Sequence, residues 1–273
     1  LAPLPTSATR PMMSETVIYF VICITALLAS GLTFFSGFGL GTLLLPAFAV
    51  FFPVELAVAM TGIVHFANGL FKLALVGRHA QKAVVLRFGI PAIVAAFVGA
   101  WTLGALAHLP AWTEYRIGEH RFCVTPVKVV IGVLLIAFTL AESLPVLRRR
   151  TYDPKWLPLG GALSGLFGGL SGHQGALRSA FLVKAGLSKE AFIASGAFIA
   201  CLIDLTRLGV YFRQLLDMHA HMDYRLLGVA TAAGFAGAFT GRRMLAKVTM
   251  TGMHRIVGKL VLLVGLGLLI GLL

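Results

Sequence analysis

The sequence predicts an all-α membrane protein built from two inverted repeats, each a glycine-broken helical hairpin followed by three transmembrane helices. Three observations carry that prediction. Of 273 residues, 58% are hydrophobic and 12% charged, with a mean hydropathy of +0.91, whereas soluble domains carry charge on about a quarter of their residues. Short glycine- and serine-centred motifs recur in the same order in both halves of the chain. The net charge of +13 comes largely from basic clusters between apolar runs, a pattern of cytoplasmic loops rather than of a nucleic-acid-binding surface.

Residues 1–13 read as a flexible N-terminal tail, 14–147 as the first transmembrane repeat, 148–156 as a basic cytoplasmic linker and 157–273 as the second repeat. Thr16 to Phe35 is long enough to span, and the first apolar run reads as a retained helix rather than a cleaved signal. Ser36 to Gly41 breaks it, and Thr42 to Phe52 is too short to cross untilted. Pro53 and Glu55 open a helix over Leu56 to Val76, with His65, Asn68 and Lys72 on one face at spacings of three and four. A basic loop holds Arg78, His79, Lys82 and Arg87, and Phe88 to Ala107 spans again. His108 to Thr125 is a mixed-charge loop without cationic excess, Pro126 to Leu144 crosses, and Arg148, Arg149 and Arg150 form the strongest basic cluster.

The second half then repeats the first. Ser30-Gly31-Leu32 recurs as Ser164-Gly165-Leu166, Gly41 as Gly175 and Thr61-Gly62 as Ser195-Gly196, all at one offset. Phe97 to Thr102 recurs as Phe235 to Thr240 at a slightly larger one. Gly165 to Arg178 is the counterpart of the first break, and its five glycines among polar residues predict a helix interruption that is tolerated only inside protein or beside a cavity. If this stretch returns to its own side, Lys184, Lys189, Arg242, Arg243 and the Arg148 cluster all lie on the cytoplasmic face. Each repeat then holds an odd number of full spans, so the two are inverted. Transporters of that organisation place paired broken helices around a midplane substrate site.

The paired glycine-rich hairpins, each followed by a Pro or Ser (Pro53, Ser188) and a helix leading into Thr61-Gly62 or Ser195-Gly196, resemble the TauE/SafE family of sulfite exporters. The resemblance covers nearly the whole chain from Glu15. It implies export of sulfur-containing anions such as sulfite or organosulfonates across the bacterial inner membrane, driven by an ion gradient. Phe38 and Leu40 in the first hairpin and Gly172-His173-Gln174-Gly175 in the second depart locally from the family's plainer glycine runs.

Five basic residues fall within apolar runs, namely Lys72, Lys128, Arg178, Arg207 and Lys259, against chiefly Asp204 and Glu142 as acids. Cations at membrane depth usually face a partner, a cavity or an anion. The expected substrate contacts are charge from Arg178, Lys72 and Arg207, hydrogen bonds from His173, Gln174 and Asn68, and backbone from Gly172, Gly175, Gly39 and Gly41. The substrate is expected closer to the second hairpin, which alone carries His173, Gln174 and Arg178.

Each assignment has a plainer competitor. Arg178 could snorkel to an interface, and His173 and Gln174 could serve only their own turn. Asp204, one turn before Arg207, is either its structural clamp or a coupling carboxylate, and His65 is either a packed histidine or a second coupling candidate. Thr61 and Ser195 suit close helix packing.

Asp217-Met-His219-Ala-His221-Met-Asp223 reads as outer-loop chemistry rather than a metal site, and Gly37, Gly39 and Gly41 lack the strand and lysine of a nucleotide loop. Cys23, Cys123 and Cys201 show no disulfide or metal spacing. No catalytic grouping or cofactor motif appears, so neither an enzyme nor a cofactor is expected. The rival functions are a proton- or cation-coupled transporter of another small solute, with Asp204 holding the coupling ion, and a membrane subunit of a larger complex. Expected partners are a small anion and the lipid bilayer, without nucleic acid; a homodimer is one of the oligomeric states left open.

Overall fold

The computed structural model describes residues 14–36, 40–144, 151–218, 222–244 and 250–273. Phe38, Gly39, the Arg148 cluster, His219, His221 and the N-terminal tail lie outside them. The chain is mostly helical. In order come α1 (Glu15–Ser36), α2 (Leu40–Phe51), α3 (Val54–Val76), α4 (Lys82–Ala107), α5 (Pro126–Ser143), α6 (Leu157–Ser171), α7 (Gly175–Leu182), α8 (Lys189–Met218), α9 (Tyr224–Met244) and α10 (Met250–Leu269). Four of the described helices are long and apolar enough to cross a membrane, namely those beginning at Glu15, Val54, Lys82 and Lys189.

Length sorts the helices physically. At 1.5 Å per residue, α6 and α7 reach only about 22 Å and about 12 Å, short of a hydrocarbon core of about 30 Å. They are halves of a broken pair, whereas α1, at 22 residues, is long enough to cross and is followed after 37–39 by the short α2. The second break is narrower than the sequence suggests, because α6 runs unbroken through Gly165, Gly168 and Gly169 to Ser171. Only Gly172, His173 and Gln174 separate it from α7, and Gly172 takes the left-handed conformation, φ +80°.

The α6 glycines are packing surfaces. Cβ atoms built on Gly161, Gly165 and Gly169 would lie 2.1–2.2 Å from the carbonyl oxygens of Phe88, Ala92 and Ala96 on α4. Only glycine permits so close a crossing. On the other side of the molecule, Gly237 and Gly241 of α9 meet Leu27 and Gly31 of α1 in the same manner, at 2.1 and 2.5 Å. Thus α4 packs on α6 and α9 packs on α1, while α3 crosses α8 and α5 lies along α10.

Large apolar side chains point outward on α4, among them Ile90, Val94, Phe97 and Trp101. On a chain this poor in charge, such faces are lipid-facing.

Three details differ from the sequence-based expectation. The mixed-charge loop contains an antiparallel hairpin, β1 (Thr113–Ile117) with β2 (His120–Val124), turning at Gly118 with φ +61°. Tyr115 stacks on Phe122 with centroids 5.3 Å apart, and its hydroxyl donates to the carbonyl of Ile270, tying the hairpin to the end of α10. Lys82 and Arg87 belong to α4 rather than to a loop, and Asp217 belongs to the end of α8. Lys128 sits in the first turn of α5 with its Nζ 2.9 Å from the Cys123 carbonyl, and Lys259 is exposed on α10. Neither stands among the buried cations.

Candidate functional site

The α3/α8 crossing brings the charged interior together. On α3, Thr61, His65, Asn68 and Lys72 fall on one helical face, and all but Lys72 are buried. On α8, the facing stripe contains Gly196, Ala197, Ala200, Asp204 and Arg207. The small residues of that stripe leave space, and α7 enters it with Arg178, Ser179 and Leu182. The result is a cavity lined by His65, Asn68 and Lys72 from α3, Arg178 from α7, Leu40 from α2 and the small face of α8.

Asp204 organises the groups behind this cavity. It is fully buried and makes four close contacts. His65 Nδ1 lies 2.5 Å from Oδ2. Gln174 Nε2 and Arg207 Nε donate to Oδ1 at 3.1 and 3.0 Å, and Arg207 Nη2 comes within 2.9 Å of the same oxygen. Several donors on one ionised carboxylate are what a buried acid needs to remain charged.

Gln174 joins the two arginines through this acid. Its amide NH₂ faces Asp204, while its Oε1 accepts from Arg178 Nη1 at 3.0 Å. The orientation is chemically forced, since a flipped amide would set oxygen against carboxylate and NH₂ against guanidinium. Its backbone carbonyl accepts from Ser164 Oγ at 3.0 Å, so α6 fixes the residue from behind. The equivalent serine of the first half, Ser30, donates to Asn68 Oδ1 at 3.0 Å. Neither serine was singled out chemically from sequence, although their place in the repeat marked both positions.

The expected substrate residues therefore divide. His65, Asn68, Lys72 and Arg178 meet at the cavity, with Gln174 directly behind. Arg207 does not line the cavity with Lys72; it is wholly buried beyond Asp204, against the second break. A Cβ on Gly172 would sit 2.8 Å from Arg207 Nη1, and one on Gly41 would sit 3.1 Å from the Gly172 carbonyl. His173 belongs to this second group. Its ring stacks on Phe138 with centroids 5.3 Å apart, and Nδ1 lies 3.0 Å from Ser171 Oγ. Gly175 is buried at the start of α7.

Ser195 faces elsewhere, accepting from the Gln81 backbone N–H at 2.9 Å before α4. Asp223 caps α9 by accepting from the Leu226 N–H and also receives the Tyr19 hydroxyl, each within 2.9 Å. No cluster of metal-ligating side chains occurs among the described residues.

Long apolar helices around the broken pair α6–α7 and a cation-lined cavity are the features of a multi-pass membrane protein. The family model described as sulfite exporter TauE/SafE matches residues 22–268, and the chain belongs to that family. No curated protein matches it in sequence.

Proposed function

We propose that the protein is a secondary transporter that exports small sulfur-containing anions, such as sulfite or organosulfonates, from the bacterial cytoplasm by alternating access. The observation that carries this reading is the cavity where Lys72 and Arg178 meet, walled by Asn68 and His65 and floored by the small face of α8. Arginine or lysine at the centre of a membrane helix costs about 2.5–3.5 kcal/mol. An anion held between two such groups offsets that cost, and a buried guanidinium binds oxyanions through directed N–H groups.

In this reading the two halves are inverted repeats, and the helix contacts between them support the alternation. The α4–α6 and α9–α1 contacts are reciprocal in the two halves, and both are crossings of glycine against backbone. Two half-molecules joined through such smooth faces can rock about the α3/α8 crossing. The contact between His65 in the cavity wall and Asp204 behind it, 2.5 Å, supports these two as the coupling groups, with the proton as coupling ion. The positive-inside pattern favours a cytoplasmic Arg148 cluster.

Uptake of labelled sulfite into inside-out vesicles tests the reading. Saturable uptake that accelerates under an imposed proton gradient and disappears in Arg178→Ala is expected, with the purified variant still monodisperse and folded. Saturable sulfite uptake unchanged by Arg178→Ala would overturn the site, and absence of uptake in the parent protein would overturn the substrate class.

A further inference from the structure

The short helix that carries Arg178 cannot hold its own position. α7 has 8 residues, fewer than the roughly 12–15 that an isolated helix needs, and the guanidinium it buries favours water over the interior. Contacts with other elements must therefore seat it. At its start, Ser164 on α6 donates to the Gln174 carbonyl at 3.0 Å. Its far end is held by a residue of the linker between the two halves.

Tyr152 is that residue. Its backbone N–H donates at 3.2 Å to the carbonyl of Ala180, in the last turn of α7, where helix carbonyls lack partners of their own. Its ring stacks on Phe181, with centroids 4.2 Å apart and planes 12° from parallel. Phe181 is 2% exposed and lies so close to α6 that a Cβ on Gly160 would fall 2.4 Å from its ring. The linker is itself fixed. A single turn, Pro154–Trp156, follows Tyr152 and is capped by Asp153, which accepts from the Lys155 N–H at 2.9 Å. Leu157, next along the chain, is buried in the same apolar cluster as Phe181 and Leu182.

The first half has no such device. At the offset that relates Gly41 to Gly175, the positions of Tyr152, Gly160 and Phe181 hold Ile18, Ala26 and Ala47, and that of Arg178 holds Leu44. Leu44 is buried in the main apolar cluster, so its own burial helps to seat α2. Arg178 gives α7 no such gain, and the aromatic pair occurs in the half whose short helix carries the charge.

We infer that Tyr152 is a positioning residue: bonded to and stacked on the last turn of α7, it holds Arg178, about one turn before Phe181, at the cavity and ties the anion site to the linker that joins the two halves. The effect on binding rests on the proposed anion transport, whereas the anchoring of α7 does not.

Amide hydrogen exchange of the purified full chain, paired with sulfite transport in inside-out vesicles, tests it. Tyr152→Ala removes the ring and keeps the backbone N–H, and a stacked aromatic pair shifts a local equilibrium by about fivefold. The α7 amides are expected to exchange about fivefold faster while those of α3 keep the parent rate. The KM for sulfite is expected to rise by up to about fivefold at an unchanged maximal rate. Tyr152→Phe restores both, and Trp156→Ala, which removes an exposed ring from the same turn, changes neither. Tyr152→Leu, which keeps apolar bulk without the stacked ring, reads the same two quantities where the alanine variant does not fold. Unchanged exchange in α7 overturns the anchor, and so does an equal acceleration in α3, which would make Tyr152 a residue of general stability. Faster α7 exchange with an unchanged KM overturns the hold on Arg178. A parent protein that transports no sulfite overturns the transport reading instead, and α7 exchange still decides whether Tyr152 anchors the helix.

Discussion

Replacing Gly172 by alanine places two separable loads on the second helix break. The first is conformational. Gly172 has φ +80°, where an L-residue costs about 1–2 kcal/mol. The second is contact. The new methyl would lie 2.8 Å from Arg207 Nη1, so the guanidinium must withdraw by about 0.6 Å to reach ordinary van der Waals separation. Arg207 donates to Asp204 through Nε at 3.0 Å, while Nη2 makes an ion-pair contact at 2.9 Å. A withdrawal of that size takes the Nε bond past the limit of hydrogen bonding, and a bond to a charged group contributes about 1.5–3 kcal/mol. The combined loss is about 2.5–5 kcal/mol.

Gly186 supplies the control, because it has φ +69° but nothing within 4 Å of its would-be Cβ. Gly186→Ala carries the backbone cost alone. Unfolding of both purified variants, paired with vesicle transport of sulfite, is the assay. Gly172→Ala should unfold well before Gly186→Ala and lose transport, whereas Gly186→Ala should transport normally. Equal destabilisation of the two, or normal transport in Gly172→Ala, would refute the claim that this turn positions Arg207.

The other expectations concern the same crossing. Asp204→Asn removes the charge that holds Arg207 and His65 and should destabilise the protein by about 3–5 kcal/mol; adding Arg207→Gln should recover part of the loss in thermal unfolding, which independent effects would not allow. Gly69→Ala should destabilise because its methyl would meet Cys201 Sγ at 2.7 Å, and Cys201→Ala should restore the melting temperature by opening that space.

Much of this arrangement is legible from the chain. Long apolar runs mark α1, α3 and α5 to within two residues, because a helix in lipid must satisfy its own backbone and therefore announces its length, whereas α4 begins six residues before its apolar run, at Lys82. The α3 face with His65, Asn68 and Lys72 follows from spacing alone. What escaped depends on contacts distant in sequence. Glycine is ambiguous locally, breaking a helix where no neighbour needs it and sustaining a close crossing where one does. Hence Gly165, Gly168 and Gly169 read as part of the break although they belong to α6. The β1–β2 hairpin left a fainter trace, with Tyr115 and Ile117 alternating before Gly118 and Phe122 and Val124 after Glu119. Asp204 could be paired with Arg207 from sequence at one helical turn, but not with His65 on another helix, 139 residues earlier.

That long-range pairing determines how the site works as a unit. An Asp204–Arg207 clamp alone would be a neutral structural element and would leave the cavity cations independent of the helix break. His65 and Gln174 change this. Through Gln174 the same carboxylate is bonded to Arg178, and through His65 it reaches the cavity wall. On the proposed anion transport, an anion that draws Arg178 toward itself would pull on Gln174 Oε1, loosen the amide's hold on Asp204 and leave Arg207 and His65 to share the charge. Movement at the cavity would thereby reach the turn that joins α6 and α7. The proposed alternating access requires that kind of link between occupancy and the broken helix pair, and Arg178 on α7, Gln174 in the turn before it and Asp204 on α8 would supply it.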